Sequence, residues 1–210
     1  MIKIDNLDLT IDKKVILDNI NINFEKGKIH GIIGRNGSGK SMMMKCISGF
    51  IKPTAGKITV NNAVIGKDCD FPDSIGLIIE TPGFIPYYSG YKNLKLLADI
   101  NKKIGKDEIR KAIADVGLDP NLDIPVRKYS LGMRQRLGLA QAIMENPEIL
   151  MLDEPMNGLD NDGVKDMRNY LLNLKKQGKT ILIASHSKED IEILCDTVCE
   201  MDKGRLRRIK

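Results

Sequence analysis

The sequence predicts an α/β fold with a mostly parallel core sheet, an N-terminal antiparallel β subdomain and an inserted helical subdomain. Three observations carry this expectation. Short apolar runs that suit strands alternate with segments of helical period in both halves of the chain. A glycine-rich stretch, GRNGSGKS (Gly34–Ser41), separates an apolar run from a helical one. Between about Tyr91 and Met144 the apolar residues recur at helical spacing. A length of 210 residues is enough for one domain with a full hydrophobic core.

Taken in order, KIDNLDLTI, VILDNINI and KIHGIIG read as strands, punctuated by turns at Asp12-Lys13 and Gly27. A helix follows the glycines and runs through MMMKCIS, so the methionines are expected to face the core. Strands are expected at Gly56–Val60 and at Ile75–Ile79, the latter ending on Glu80 before a Thr-Pro-Gly turn. In the helical block the apolar sets are Leu94, Leu97 and Ala98, then Ile109, Ile113 and Val116, then Leu137, Leu139, Ala140 and Ile143. Pro120, Pro125 and Gly132 break it into pieces. After it come a strand (EILML), a helix (MRNYLLNLKK), a strand (TILIAS), a helix (KEDIEILC) and a terminal hairpin, TVCEMDKGRLRRI. The expected organisation is one domain, with residues 1–88 and 147–210 forming the catalytic core and residues 89–146 the helical subdomain.

Composition excludes several classes. The 33 basic and 28 acidic residues are interspersed, and the net charge of +5 is too mild to point to nucleic acid. The one concentrated basic run, KGRLRRIK, reads as a solvated tail or an edge strand. Cys46, Cys69, Cys195 and Cys199 form no CxxC pair, and with two histidines (His30 and His186) a zinc site is not expected. Cys195 and Cys199 are expected together at a helix end. Free thiols and the lack of a signal peptide suit a reducing cytosol. No apolar run is long enough to span a bilayer.

The chemistry is written in three places. Gly34, Arg35, Asn36, Gly37, Ser38, Gly39, Lys40 and Ser41 satisfy G-x-x-x-x-G-K-[ST] after a strand and before a helix. Glycines let backbone N–H groups curl around phosphate oxygens, and the helix N-terminus adds partial positive charge. Lys40 is placed to reach β- and γ-phosphates, and Ser41 to ligate Mg²⁺. In EILMLDEP the four apolar residues bury a strand, so Asp153 emerges at its carboxyl end, where open α/β sheets bind ligands. Asp153 is placed to hold the Mg²⁺ shell and Glu154 to act as general base. The third place is YSLGMRQRLGLAQAI, where Ser130-Leu131-Gly132 open a helix. That is either an N-cap or a further anion site.

The order of these segments resembles the ATP-binding cassette (ABC) ATPases, and the resemblance covers nearly the whole chain. It adds to the P-loop a polar residue after a strand (Glu80), a helical insert, a signature motif, a Walker B strand, a D-loop-like MNGLD and a switch-histidine segment, ILIASH. The resemblance implies a P-loop NTPase fold of the ABC type that binds ATP and Mg²⁺ and hydrolyses ATP. Lys40, Glu154 and His186 are the implied catalytic residues, with His186 bridging Glu154 and the γ-phosphate. Met42 joins the P-loop contacts, and Ile11 takes the place of an aromatic that would stack on adenine. Ser130, Leu131, Gly132 and Met133 would reach ATP held by a second subunit, while Asn157, Gly158, Leu159 and Asp160 would cross the dimer interface. Ser41, Glu80 and Asp153 form the implied metal shell, Glu80 standing where most members carry glutamine.

Glu80 followed by TPGF, together with the Y-S-L-G-M-R-Q-R-L signature, resembles the bacitracin-type and lantibiotic-type exporter ATPases. The implied protein is a cytoplasmic subunit, peripheral on the inner face of the membrane. It dimerises with a second ABC subunit and powers a separate permease that exports an antimicrobial peptide, drug or lipid-like substrate. The exposed aromatics Phe84, Tyr87, Tyr88 and Tyr91 are candidates to receive the permease. Two alternatives are a soluble ABC ATPase acting on ribosomes or nucleic acid and a nucleotide-gated interaction module. Against the first stand the single cassette and the lack of coiled coils; against the second stand Glu154 and His186 together.

Overall fold

The computed structural model describes residues 1–210. Two sheets build the molecule. In the first, β1 (Ile2–Ile11) and β2 (Lys14–Phe24) form a hairpin, and β4 (Ala55–Val60) and β5 (Ala63–Val64) extend it in the order β2-β1-β4-β5, all antiparallel. Asp12 and Lys13 both take positive φ, 48° and 64°, the mirror-image two-residue turn whose twist matches right-twisted strands. Strand β5 escaped the sequence reading because two residues carry no alternation.

The second sheet has the order β10-β9-β3-β8-β7-β6. Strands β3 (Ile29–Ile33), β6 (Ile75–Ile78), β7 (Ile149–Asp153), β8 (Thr180–Ala184) and β9 (Thr197–Asp202) run parallel, and β10 (Arg205–Arg208) closes the edge antiparallel to β9. Every residue of β7 and β8 is buried, which explains their unbroken apolar runs. Parallel strands deliver their carboxyl ends to one edge. Gly34, Glu80, Asp153 and Ser185 therefore emerge near one another.

Six α-helices complete the fold: α1 (Lys40–Ile47), α2 (Gly90–Asn101), α3 (Lys106–Asp115), α4 (Leu131–Ile143), α5 (Asn161–Lys176) and α6 (Lys188–Leu194). Helix α4 crosses β6 at backbone contact: a Cβ at Gly76 would run into the Ala142 carbonyl. The apolar residues divide into two cores. One, with Phe24, Ile32, Met43, Met44, Met151 and Leu182, fills the space between the sheets around α1. The other, with Leu94, Ile109, Leu137, Leu152 and Leu171, joins the helical block to the far face of the parallel sheet. Met43 and Met44 are fully buried, as expected, whereas Met42 is half-buried and lines a cleft at the sheet edge, because three consecutive helix residues point in different directions.

The basic C-terminal run is an edge strand with structural partners. Arg205 Nε donates to Asp18 Oδ2 (2.7 Å) and Arg208 Nη2 to the Asn23 carbonyl (2.7 Å), tying β10 to β2 of the other sheet. The two late cysteines do not share a helix end: Cys195 caps α6 and Cys199 lies inside β9, because Asp196 and Thr197 already lead the chain into the strand. All four thiols are free, and burial pushes Cys46 up to about 11 and Cys195 up to about 12, which keeps them protonated and inert at neutral pH. No helix is long and apolar enough to cross a membrane.

His30 on β3 is fully buried. Its Nε2 lies 2.9 Å from the Glu25 carbonyl, which accepts, so Nε2 carries the proton and the neutral ring accepts from Thr197 Oγ1 (2.7 Å) at Nδ1. Burial lowers its pKa below the ordinary 6.5. The neutral form is thus favoured in the fold. Its stabilisation is complete above the unfolded-state value and lost as pH falls through 6.5 toward the lower folded value. Urea unfolding at pH 7.5 and 5.5 is expected to show wild type weakening on acidification. His30→Gln should lose about 1 kcal/mol at pH 7.5 but show a flatter dependence. Equal slopes in the two proteins would mean the imidazole titrates alike in both states.

Candidate active site

The parallel sheet ends in a cleft of about 660 Å³ at its carboxyl edge. Its floor is the glycine-rich loop after β3. Gly34 takes φ 152°, and a Cβ there would run into the Met201 carbonyl and lie 2.8 Å from Ser38 Oγ, so the loop closes this tightly only on glycine. Arg35, Asn36 and Gly37 form the exposed tip, with Asn36 and Gly37 lining the cleft, and Gly39 (φ 116°) turns the chain into α1. Lys40 is buried and folds back onto the loop, donating through Nζ to the carbonyls of Gly34 (2.8 Å) and Arg35 (3.2 Å). It is the one cationic side chain lining the cleft. Ser38 Oγ is buried without a hydrogen-bond partner, an orphan that an incoming oxygen would satisfy.

Next to the loop, Ser41 Oγ donates to Asp153 Oδ2 at 2.5 Å, joining the start of α1 to the end of β7. Glu154 follows in a left-handed conformation (φ 51°), pinned by its N–H on the Ala184 carbonyl (2.9 Å) and by Gln135 Nε2 donating to its own carbonyl (3.3 Å). That backbone turn directs the carboxylate toward β8, where Oε2 lies 2.9 Å from His186 Nδ1. His186 itself is largely exposed. The structure therefore brings together Lys40 and Ser41 from the start of α1, Asp153 and Glu154 from the end of β7, and His186 from the segment after β8.

Three of the predicted residues stand differently. Ile11 is exposed at the end of β1 and does not line the cleft. The tight Asp12–Lys13 turn pairs it with Lys14, and Ile16, two residues farther along β2, lines the cleft instead. The signal for Ile16 was its place on the returning strand of the hairpin. Ser130 Oγ is engaged as the N-cap of α4, accepting from the Met133 N–H at 3.1 Å. Glu80 lines the cleft but its Oε1 is bound by Lys45 Nζ at 2.5 Å rather than by the Ser41–Asp153 pair. The cost of that carboxylate near the phosphate loop is offset by a lysine that the sequence reading passed over.

The signature and the D-loop-like turn meet within one chain. Leu131 is exposed and its side chain covers Gly158 (φ 78°), where any Cβ would lie 2.5 Å from Leu131 Cγ, while Gly132 packs on the Gly158 carbonyl. Met133 and Leu159 pack inward against the helical core. Asn157 lines the cleft, and Asp160 caps α5 by accepting from the Gly163 N–H at 3.0 Å. Of the four aromatics after the Pro-Gly turn, Phe84 and Tyr91 pack against the core and Tyr87 and Tyr88 are exposed.

Known proteins share this arrangement. The family model described as "ABC transporter" matches residues 17–157. The ABC transporter ATP-binding protein YybJ of Bacillus subtilis (strain 168) is 49% identical over 98% of this chain and 94% of its own length. The bacitracin transport ATP-binding protein BcrA of Enterococcus faecalis is 39% identical over 98% of this chain and 68% of its length. The lantibiotic transport ATP-binding protein SrtF of Streptococcus pyogenes is 38% identical over 98% and 89%. Among solved structures, the dimeric MJ0796, a bacterial ABC transporter cassette, superposes with a TM-score of 0.90 at 25% identity, covering 100% of this chain and 98% of that one. With its glycine loop, its Ser41–Asp153 pair and its Glu154–His186 pair at one sheet edge, the chain belongs to the ABC transporter family, as one of its ATP-binding cassettes.

Proposed function

We propose that the chain is the ATP-hydrolysing subunit of an exporter, powering a separate membrane permease that moves an antimicrobial peptide, drug or lipid-like substrate. The observation that carries the chemistry is the convergence of Lys40, the Ser41–Asp153 pair and the Glu154–His186 pair at one sheet edge. The names of BcrA and SrtF support the substrate class.

The loop residues Gly34 to Ser41 would bind the phosphates, with Lys40 exchanging its carbonyl partners for phosphate oxygens and Ser38 Oγ gaining the partner it lacks. The donor set fits a hard divalent ion: Ser41 and Asp153 offer oxygens in contact with one another, and Mg²⁺ needs few protein ligands when phosphates complete its shell. Ser41 and Asp153 would hold Mg²⁺, which supplies charge neutralisation at the transferring phosphoryl group. Glu154 accepts the proton of the attacking water, and His186 Nδ1–H orients that carboxylate. Bridging to the γ-phosphate as well would require the doubly protonated ring of His186. Met42 and Ile16 flank the nucleotide on the apolar side.

The dimeric cassette supports a second copy across the cleft. In it Ser130, Leu131, Gly132 and Met133 face the partner's nucleotide, and Asn157 to Asp160 lie along the interface. The permease would dock in the groove of about 850 Å³ between β6 and the helical block, where Phe50, Phe71, Leu97 and Ile100 are exposed beside Thr81-Pro82-Gly83. Docking there places the subunit on the inner face of the membrane. Affinity purification of the tagged chain from detergent-solubilised membranes tests this reading. The expected result is co-purification of one polytopic membrane protein and ATP hydrolysis that rises when it is present. Recovery of ribosomes or nucleic acid in its place would sink the transport role.

A further inference from the structure

We propose that Lys45 is a positioning residue for Glu80, tying it to the P-loop helix and neutralising it so that the cleft accepts polyphosphate; the inference rests on the nucleotide-binding reading of the cleft. Glu80, Asp153 and Glu154 all line that cleft, and Lys40 is the one cation among its lining residues. Three carboxylates against one ammonium is a poor receptor for a polyanion. Lys45 corrects the balance from just behind the lining. It lies one helical turn along α1 from Ser41, on the same face, and its Nζ sits 2.5 Å from Glu80 Oε1. The lysine side chain is 25% exposed and Glu80 64%, so the ammonium is anchored and the carboxylate is brought to it.

The backbone at Glu80 supports the same conclusion. Its φ is 62°, a left-handed conformation that a residue with a β-carbon rarely adopts. The chain leaves β6 at Ile78 and takes this turn two residues before Pro82, which packs on α4 where Gly138 leaves no room for a Cβ. The segment into the helical block is therefore held at two points, by Lys45 of α1 and by Gly138 of α4. A glutamine at position 80 would leave Lys45 without its charge partner. Glu80→Gln is thus not a neutral exchange in this chain, and its effect depends on residue 45.

Binding of a fluorescent ATP analogue, measured in EDTA and across a Mg²⁺ titration, tests the pairing without relying on turnover. Lys45→Met keeps the aliphatic stem and removes the charge; it is expected to weaken metal-free binding about fivefold, the scale of a partly exposed ion pair. Lys45→Arg should stay within about twofold of wild type. Adding Glu80→Gln to Lys45→Met should restore most of the lost affinity, because the carboxylate that Lys45 neutralises is then gone as well. Lys45→Met binding as wild type in EDTA, or a double variant as weak as Lys45→Met alone, would overturn the inference while leaving the cleft reading intact. A wild-type chain that binds no nucleotide would overturn the cleft reading itself.

Discussion

Glu154→Gln is expected to bind ATP as wild type does and to turn it over about 10²–10⁴-fold more slowly, the usual contribution of a positioned general base. The substitution is close to isosteric, and every contact that fixes the residue survives it. The N–H still donates to the Ala184 carbonyl, the Glu154 carbonyl still accepts from Gln135, and an amide oxygen can still accept from His186 Nδ1. What is lost is the carboxylate's capacity to take a proton. A protein that binds but does not hydrolyse should accumulate as the nucleotide-bound dimer, visible as an ATP-dependent shift in gel filtration. Turnover within twofold of wild type would remove Glu154 from the reaction and pass the role to another base.

The left-handed backbone at Glu154 sharpens that expectation. A non-glycine residue at φ 51° carries strain of order 1 kcal/mol and persists only where its surroundings impose it. Here the imposition comes from β8 and α4 together. The aim of the carboxylate is thereby linked to the position of the helical block, since Gln135 belongs to α4.

How much of this was legible beforehand follows the range of the interactions. The P-loop, the acidic strand end and the histidine after β8 were readable because each lies beside an apolar run that fixes where it emerges, and parallel strands bring their carboxyl ends together. The core positions of Met43 and Met44 were legible from their place on an apolar helix, although Met42 beside them lines the cleft. Other placements depend on contacts that are distant in sequence. Ile11 was assigned by sequence position, but the two-residue hairpin turn decides which side chain reaches the cleft, and that is Ile16. The metal-shell role of Glu80 is implied by its place where most members carry glutamine, and its pairing with Lys45 is not written near it in the sequence. Its partner is 35 residues away and meets it only when β6 and α1 lie on the same sheet edge. The Arg205–Asp18 ion pair and the Arg208 bond to the Asn23 carbonyl, which tie β10 to β2, are hidden for the same reason, their partners being more than 180 residues apart. Local chemistry is written locally; charge pairing across the fold is not.

Lys40→Ala is expected to lower kcat/KM for ATP by about 10²–10³, comparable to removing one preorganised donor from a charged transition state, with weaker nucleotide binding as the larger part. The side chain is buried, and its ammonium is held by two carbonyls of its own loop. Those bonds keep the cation inside the cleft and the loop curled before any phosphate arrives, so the residue preorganises the site as well as contacting the substrate. Alanine leaves the cleft with Glu80, Asp153 and Glu154 and no lining cation. Stability should change little, because the Gly34 and Arg35 carbonyls lie at a solvent-accessible loop and water can replace the lost donor. Lys40→Arg is expected to rescue poorly, since the planar guanidinium is larger than the buried slot and cannot make the same point contact. Isothermal titration with ATP alongside a melting curve separates the cases. Lost binding with an unchanged melting temperature is the expected pair of results, and intact binding would show that the backbone N–H groups of the loop hold the phosphates without the lysine.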